Sequence, residues 1–136
     1  MGEPLIIYED IEERLKAIDC SEYPIMMNMR TIKMTEEEVQ VEMDLEGKRN
    51  SVGTAHGGAI FSLADQAFAL ACNMGKYTQV AKEASIRFLR PARGKLIATA
   101  KKRAEDEKGS VYEVEVREGN VLVAVFEGKG HKLLPR

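Results

Sequence analysis

The chain has 136 residues, 44% hydrophobic and 31% charged, with a formal net charge of -2; that is enough for one folded core, too little for two, and gives no broad positive field for nucleic-acid phosphates. No apolar stretch is long enough to span a bilayer, and acidic Glu9 and Asp10 stand where a secretory leader needs a basic flank, so a cytoplasmic protein is expected. Cys20 and Cys72 form neither a CxxC pair nor a disulfide framework and read as reduced packing residues.

Residues 9-18 place Ile11, Leu15 and Ile18 at helical spacing behind two acids suited to a helix start, predicting a short amphipathic helix. Pro24 closes the following connection, and residues 26-34 and 38-44 read as strands, the second alternating Val39, Val41 and Met43 with Glu38, Gln40 and Glu42. Residues 45-55 are small, polar and Gly-containing, an irregular loop. From His56 to Met74 the chain is apolar nearly all round, with Ala, Leu and Phe in place of β-branched residues and Gly75 set to stop it. That is the pattern of a buried central helix.

Residues 78-90, 95-104, 110-118 and 121-131 then read as four strands, broken by Pro91 to Gly94, by 105-109 and by Gly119 with Asn120. One long apolar helix among about six antiparallel strands calls for an α+β architecture in which the sheet curls around the helix. In the last strand Val121, Val123 and Val125 alternate with Leu122, Ala124 and Phe126, so one apolar face is expected on the helix and the other on a second subunit.

Asp65 is the most informative position. Flanked by Leu63, Ala64, Ala67 and Phe68 on a buried helix, its carboxylate costs several kcal/mol unless it has a partner or reaches water, so it is expected to line a cavity. Position alone leaves a structural carboxylate, paired with another element, equally open. His56, Gly57 and Gly58 begin the same helix, where the first N–H groups lack acceptors, the dipole favours negative charge and glycine lets a carbonyl approach. Such a start can hold an oxyanion, or it is simply a loop-to-helix junction.

His56 and Asp65 are about half a turn and 13 Å apart along a helix, too far to serve one carbonyl from one helix. If they act together they come from two subunits, giving two equivalent sites per dimer. The chain has no G-x-S-x-G elbow, P-loop, G-x-G-x-x-G or metal-ligand spacing, and His131 beside Lys132 reads as a surface residue.

Asn50 with the segments HGGAIFSLADQAFALACN, ASIRFLRPARGKLIATA and VAVFEGKGHKL resembles the phenylacetyl-CoA thioesterase-like branch of the hot-dog superfamily, over residues 45 to 133. Within a single domain, 1-136, residues 1-25 lie outside the resemblance as a helical extension and take no function from it. The resemblance implies a hot-dog homodimer, often paired into a homotetramer, that hydrolyses acyl-CoA without metal or organic cofactor. Asp65 is implied as general base or nucleophile, and the Gly57 N–H as the group polarising the thioester carbonyl. His56 and Asn50 are implied to hold the loop and helix start and to orient water or the carbonyl from the opposite subunit.

Gly58 beside this donor gives the substrate room. Ser85 matches a hydroxyl that faces the site in some relatives, although strand alternation sets it opposite Ile86 and Phe88. Arg90, Arg93 and Lys95 flank Pro91 near the expected entrance and are candidates for the CoA phosphates, with a solvated loop as the equal alternative. Phe61, Phe68, Leu70 and Met74 suit an arylacetyl or an aliphatic acyl pocket alike. The rival to an enzyme is a hot-dog protein that binds acyl-CoA without turnover; regulators of that kind carry a DNA-binding segment, for which 25 residues are too few. No nucleic-acid or membrane partner is expected.

Overall fold

The computed structural model describes residue 2 and residues 4-134. Helices Ile11–Asp19 (α1) and Glu22–Met26 (α2) lead into strands Arg30–Met34 (β1) and Val39–Met43 (β2). Helix Gly57–Cys72 (α3) follows, then strands Gln79–Phe88 (β3), Leu96–Glu105 (β4), Gly109–Glu118 (β5) and Val121–Lys132 (β6). The strands form one six-stranded sheet in the order β1-β2-β4-β5-β6-β3, antiparallel throughout. Register shifts interrupt every pairing except β2 with β4. Such bulges bend and twist a sheet, which is how this one curls over α3.

The core is the seam between α3 and the concave face. Val39, Val41, Leu96, Ala98, Ala100, Val114, Val116, Ala124 and Phe126 are completely buried from the sheet side, as are Leu63, Ala64, Ala67 and Leu70 from the helix. Alanines on both surfaces let the helix lie close, and each larger side chain stabilises the fold by about 1.5–3 kcal/mol. Gly128 is required here, because a Cβ on it would come within 2.9 Å of the Phe68 ring. No described helix is long and apolar enough to cross a membrane.

Three local readings of the sequence are corrected. Residues 22-26 are helical and the first strand starts at Arg30, not at 26. Pro24 is tolerated in a first turn, where the missing N–H has no intrahelical acceptor to lose, and Asn28 at φ 55 turns the chain into the strand. Helix α3 ends at Cys72 with Asn73 as its cap rather than running on to Gly75.

At the other end of the chain, Val123 and Ala124 are both fully buried, because a bulge opposite Val116 and Arg117 breaks the alternation of β6. The outward face of β6 is therefore not the apolar surface expected for a second subunit; Val125 lies there between Arg87 and Glu115. Two strands have a neighbour on one side alone, five-residue β1 and the longer β3. Strand β3 is the last of the sheet, ten residues long, and exposed from Val80 to Phe88 except at half-buried Ile86. A long unpaired edge of this kind is a template for another strand.

Candidate active site

The start of α3 is shaped by Asn50. Its Oδ1 accepts from the N–H groups of Val52 at 3.1 Å and Thr54 at 3.0 Å, while its Nδ2 donates to Thr54 Oγ1 at 3.0 Å and Ala55 O at 3.5 Å. Gly53, at φ 84, allows the tight return. Ala55 N–H then donates to Ala92 O at 2.8 Å, so the 45-55 loop and the 89-95 loop meet beside the helix start.

His56 caps the helix, its Nδ1 accepting from Gly58 N–H at 2.9 Å. An imidazole that accepts at Nδ1 carries its own N–H at Nε2. The amides of Ala59 and Ile60 donate to His56 O at 2.9 and 3.1 Å. Gly57 N–H is left as the one amide of this first turn with no acceptor among the described residues. The Phe88 ring stands over it, 3.4 Å from where a Gly57 Cβ would lie.

Asp65 is two turns further along α3, half-buried, and no described residue donates a hydrogen bond or ion pair to its carboxylate. Burial alone raises its carboxyl above the usual carboxylate range. It opens into a cleft of about 510 Å³ between α1, α3 and the start of β3. Phe68, Ala69 and Cys72 continue its helix wall, and Val80 and Ala81 face them from β3. The Cys72 thiol is pushed up to about 12 by burial and then by the Asp65 charge, which leaves it inert as a nucleophile.

Two polar residues that no sequence pattern singles out hold this cleft together. Arg14 is buried and spends all five guanidinium N–H groups on four carbonyls: Tyr8 O twice at 3.2 Å, Asn73 O at 3.1 Å, Gly75 O at 2.6 Å and Lys76 O at 3.1 Å. A cation there also suits the negative end of the α3 dipole. Asn73 donates to Gln79 O at 3.0 Å and accepts from Gln79 N–H at 2.8 Å, imitating a strand partner and fixing where β3 begins.

Comparison with known proteins names this arrangement. Residues 20–132 match the family described as a domain of unknown function, DUF4442. A putative esterase of Archaeoglobus fulgidus is 36% identical over 112 residues, 79% of this chain and 73% of that protein. The acyl-coenzyme A thioesterase PaaI of Escherichia coli (strain K12) is 44% identical over 87 residues, which span 62% of this chain and 62% of that protein. The solved structure of the E. coli PaaI protein from the phenylacetic acid degradation operon superposes with a TM-score of 0.82 at 32% identity, covering 91% of this chain and 94% of that one. The chain belongs to the PaaI-like thioesterase family of the hot-dog fold.

Among the residues singled out from the sequence, this thioesterase brings Asn50, His56 and Gly57 together, and sets Asp65 apart from them on the same helix. Gly58 has no free amide, because His56 holds it. Ser85 is on the sheet face turned away from α3: it pairs with Glu127, whereas Ile86 pairs with buried Phe126 and Phe88 with buried Ala124. Lys95 is tied to Glu42 at 3.2 Å, in company with Arg30, and is not a free cation.

Arg90 and Arg93 are exposed and make no ion pair among the described residues, and their loop adjoins the start of α3 in the thioesterase. Of the four proposed pocket residues, Phe68 reaches the cleft, while Leu70 belongs to the core and Phe61 packs edge-on against Phe126 at 5.3 Å. Cys20 is exposed rather than packed, and His131 is at the surface as expected.

Proposed function

We propose that the protein hydrolyses acyl-CoA thioesters, arylacetyl or medium-chain, to the free acid and CoA at two equivalent sites shared across a homodimer. The observation that carries this reading is Asp65, a carboxylate whose burial no cation or donor among the described residues offsets, opening into a largely apolar cleft on the helix whose start leaves Gly57 N–H without an acceptor among them. An unpaired carboxylate of this kind is what a general base or nucleophile requires.

Eight residues of helix separate Gly57 from Asp65, about 12 Å, so one chain does not make a site alone. The bare edge of β3 supports a two-fold partner. Two β3 strands pairing antiparallel about their middles set Val80 of one copy beside the partner subunit's Phe88. Val80 lines the Asp65 cleft and Phe88 covers Gly57, so each cleft then meets the partner's helix start. Two such dimers pair into the homotetramer implied by the resemblance.

In each site the Gly57 N–H donates to the thioester oxygen and stabilises the charge that develops there. Asp65 takes the proton of a water molecule as its oxygen adds to the carbonyl carbon; the C–S bond then breaks and CoA departs as its thiolate, which is protonated afterwards. By the alternative route Asp65 itself adds, CoA thiolate leaves, and water hydrolyses the mixed anhydride. Arg90 and Arg93, at the mouth beside the helix start, take the CoA phosphates. Asn50 is a positioning residue, because both its side-chain oxygen and nitrogen are occupied in holding the loop, while His56 holds the first turn through Nδ1 and keeps its Nε2 N–H to orient water or the carbonyl.

Mixing two inactive variants tests the shared site. Asp65→Asn removes the carboxylate, and Gly57→Pro removes the donor at a first helical position that proline favours. Each alone should release almost no thiol from phenylacetyl-CoA or octanoyl-CoA. Refolded together, mixed dimers hold one intact site, and about a quarter of wild-type turnover should return. No recovery in demonstrably mixed dimers would place both groups in one subunit and defeat the proposal. Tight acyl-CoA binding by wild type without thiol release would favour the non-catalytic alternative.

A further inference from the structure

Residues outside the family match form one whole side of the cleft. The match begins at residue 20, yet Ile6, Tyr8, Ala17 and Ile18 line the space into which Asp65 opens. We infer that the segment from Leu5 to Ile18 is the acyl-specificity element of this thioesterase, a wall against which an apolar acyl group of medium length or an aryl ring packs, and that Arg14 is the positioning residue that holds it there. The inference rests on Asp65 being the reacting carboxylate.

The chemistry of the cleft selects the acyl end of the substrate rather than the CoA end. Its walls are largely alkyl and aromatic, with Ser21, Gln66 and Thr78 among them, and its one buried cation, Arg14, has every N–H engaged by a backbone carbonyl. A phosphate entering here would meet no free donor on Arg14 and would lose its hydration. An acyl chain would lose only water. With the carbonyl carbon at Asp65, the group attached to it is the part of the substrate that reaches the N-terminal wall.

The segment also lacks a partner of its own. Leu5 and Ile6 are 74% and 77% exposed, and Ile7 is 49% exposed, an apolar run in water at the border of an apolar cleft. Leu15 and Ile18 pack its helical end on the core, and what fastens the stretch before it is polar: the two Arg14 bonds to Tyr8 O, with Gln66 Nε2 donating to Ile18 O at 3.1 Å on the α1 side. A guest that covers Ile6 and Tyr8 gains apolar burial that a two-carbon acyl group cannot reach.

The test compares octanoyl-CoA with acetyl-CoA by thiol release, as the ratio of their kcat/KM values. Ile6→Asp sets a charge on the wall at a position largely in water, so the fold should tolerate it, and the ratio should fall by about tenfold or more through KM for octanoyl-CoA. Ala17→Phe, which fills the cleft from α1, should lower the ratio in the same way. Arg14→Met should lower it too, with the loss in KM rather than in a common factor of kcat. An unchanged ratio in Ile6→Asp, with thermal melting and dimer size as in wild type, would overturn the inference. Asp65→Asn separates this from the reading beneath it: that variant should slow both substrates alike, and wild-type turnover of both substrates in Asp65→Asn would refute the catalytic role while the Ile6 ratio is read independently.

Discussion

Replacing Asp65 by Asn asks the protein two questions at once. The side chain keeps its shape and loses its charge. In the folded chain burial raises the Asp65 carboxyl, with no cation or hydrogen-bond donor acting against it. The native state therefore holds the proton more tightly than the unfolded chain, and ionisation costs native stability. Below the unfolded carboxylate pKa both states are protonated and the cost is absent; it grows as pH rises through the interval up to the folded pKa and is complete above that.

A charge costs more to bury than the amide that replaces it, and Asp65 is only half-buried beside an open cleft, so a difference of about 1–2 kcal/mol is expected. For a domain of this size that raises the melting temperature of Asp65→Asn by roughly 3–6 °C at neutral pH, with the advantage vanishing in acid. Thiol release from phenylacetyl-CoA should meanwhile fall by about 10²–10⁴. Calorimetry across the carboxylate range and a thiol-release assay read both. A variant that melts lower than wild type at neutral pH would show that Asp65 stabilises the fold through a partner, which would remove the ground for a catalytic carboxylate.

Other consequences are as direct. Ala84 is exposed on β3 opposite Gly128, so Ala84→Asp should leave the protomer folded yet place like charges along a paired edge, giving monomers by sedimentation and loss of turnover together. Arg14→Met strands four carbonyls and should cost about 3 kcal/mol or more in urea unfolding, with Arg14→Lys recovering part of it because an ammonium cannot reproduce the five-donor fork. A thiol reagent at pH 8 should modify exposed Cys20 in the native protein and spare Cys72, whose thiol stays protonated, until the chain is unfolded. In the pH profile, activity should fall as pH drops through the Asp65 pKa, and an apolar acyl group filling the cleft should move that limb to higher pH in kcat than in kcat/KM; identical limbs for octanoyl-CoA would count against an acyl group seated beside Asp65.

What the sequence made legible was whatever depends on local pattern. The unbroken apolar run of α3 and the alternation of β2 gave the buried helix and the sheet around it, because both are consequences of side-chain periodicity. Gly57 and Asp65 were legible because a free helix start and a carboxylate among alanines are each anomalous in a buried helix. Arg14 was not legible, since its partners are backbone carbonyls roughly sixty residues away whose positions no side-chain type announces. Val123 was assigned by strict alternation, and one extra residue in β6 turned it inward, whereas Ser85 was matched to the site by the resemblance and lies on the far face that its alternation with Ile86 and Phe88 indicated. Lys95 looked like a free entrance cation because its partner Glu42 is brought opposite only by pairing of β2 with β4.

Arg14 and Asp65 line one cleft and are not paired, although a salt bridge is the usual partner of a buried carboxylate. Such a bridge would pull the carboxyl downward and weaken it as a base. Here the guanidinium is saturated by carbonyls of the N-terminal segment and of the chain just beyond α3, and Asp65 responds to burial alone. The same five bonds that seat α1 against the end of α3 thus leave no guanidinium N–H free to turn toward the cleft. On the catalytic role proposed for Asp65, one side chain both seats the cleft wall and leaves the carboxylate without a cationic partner.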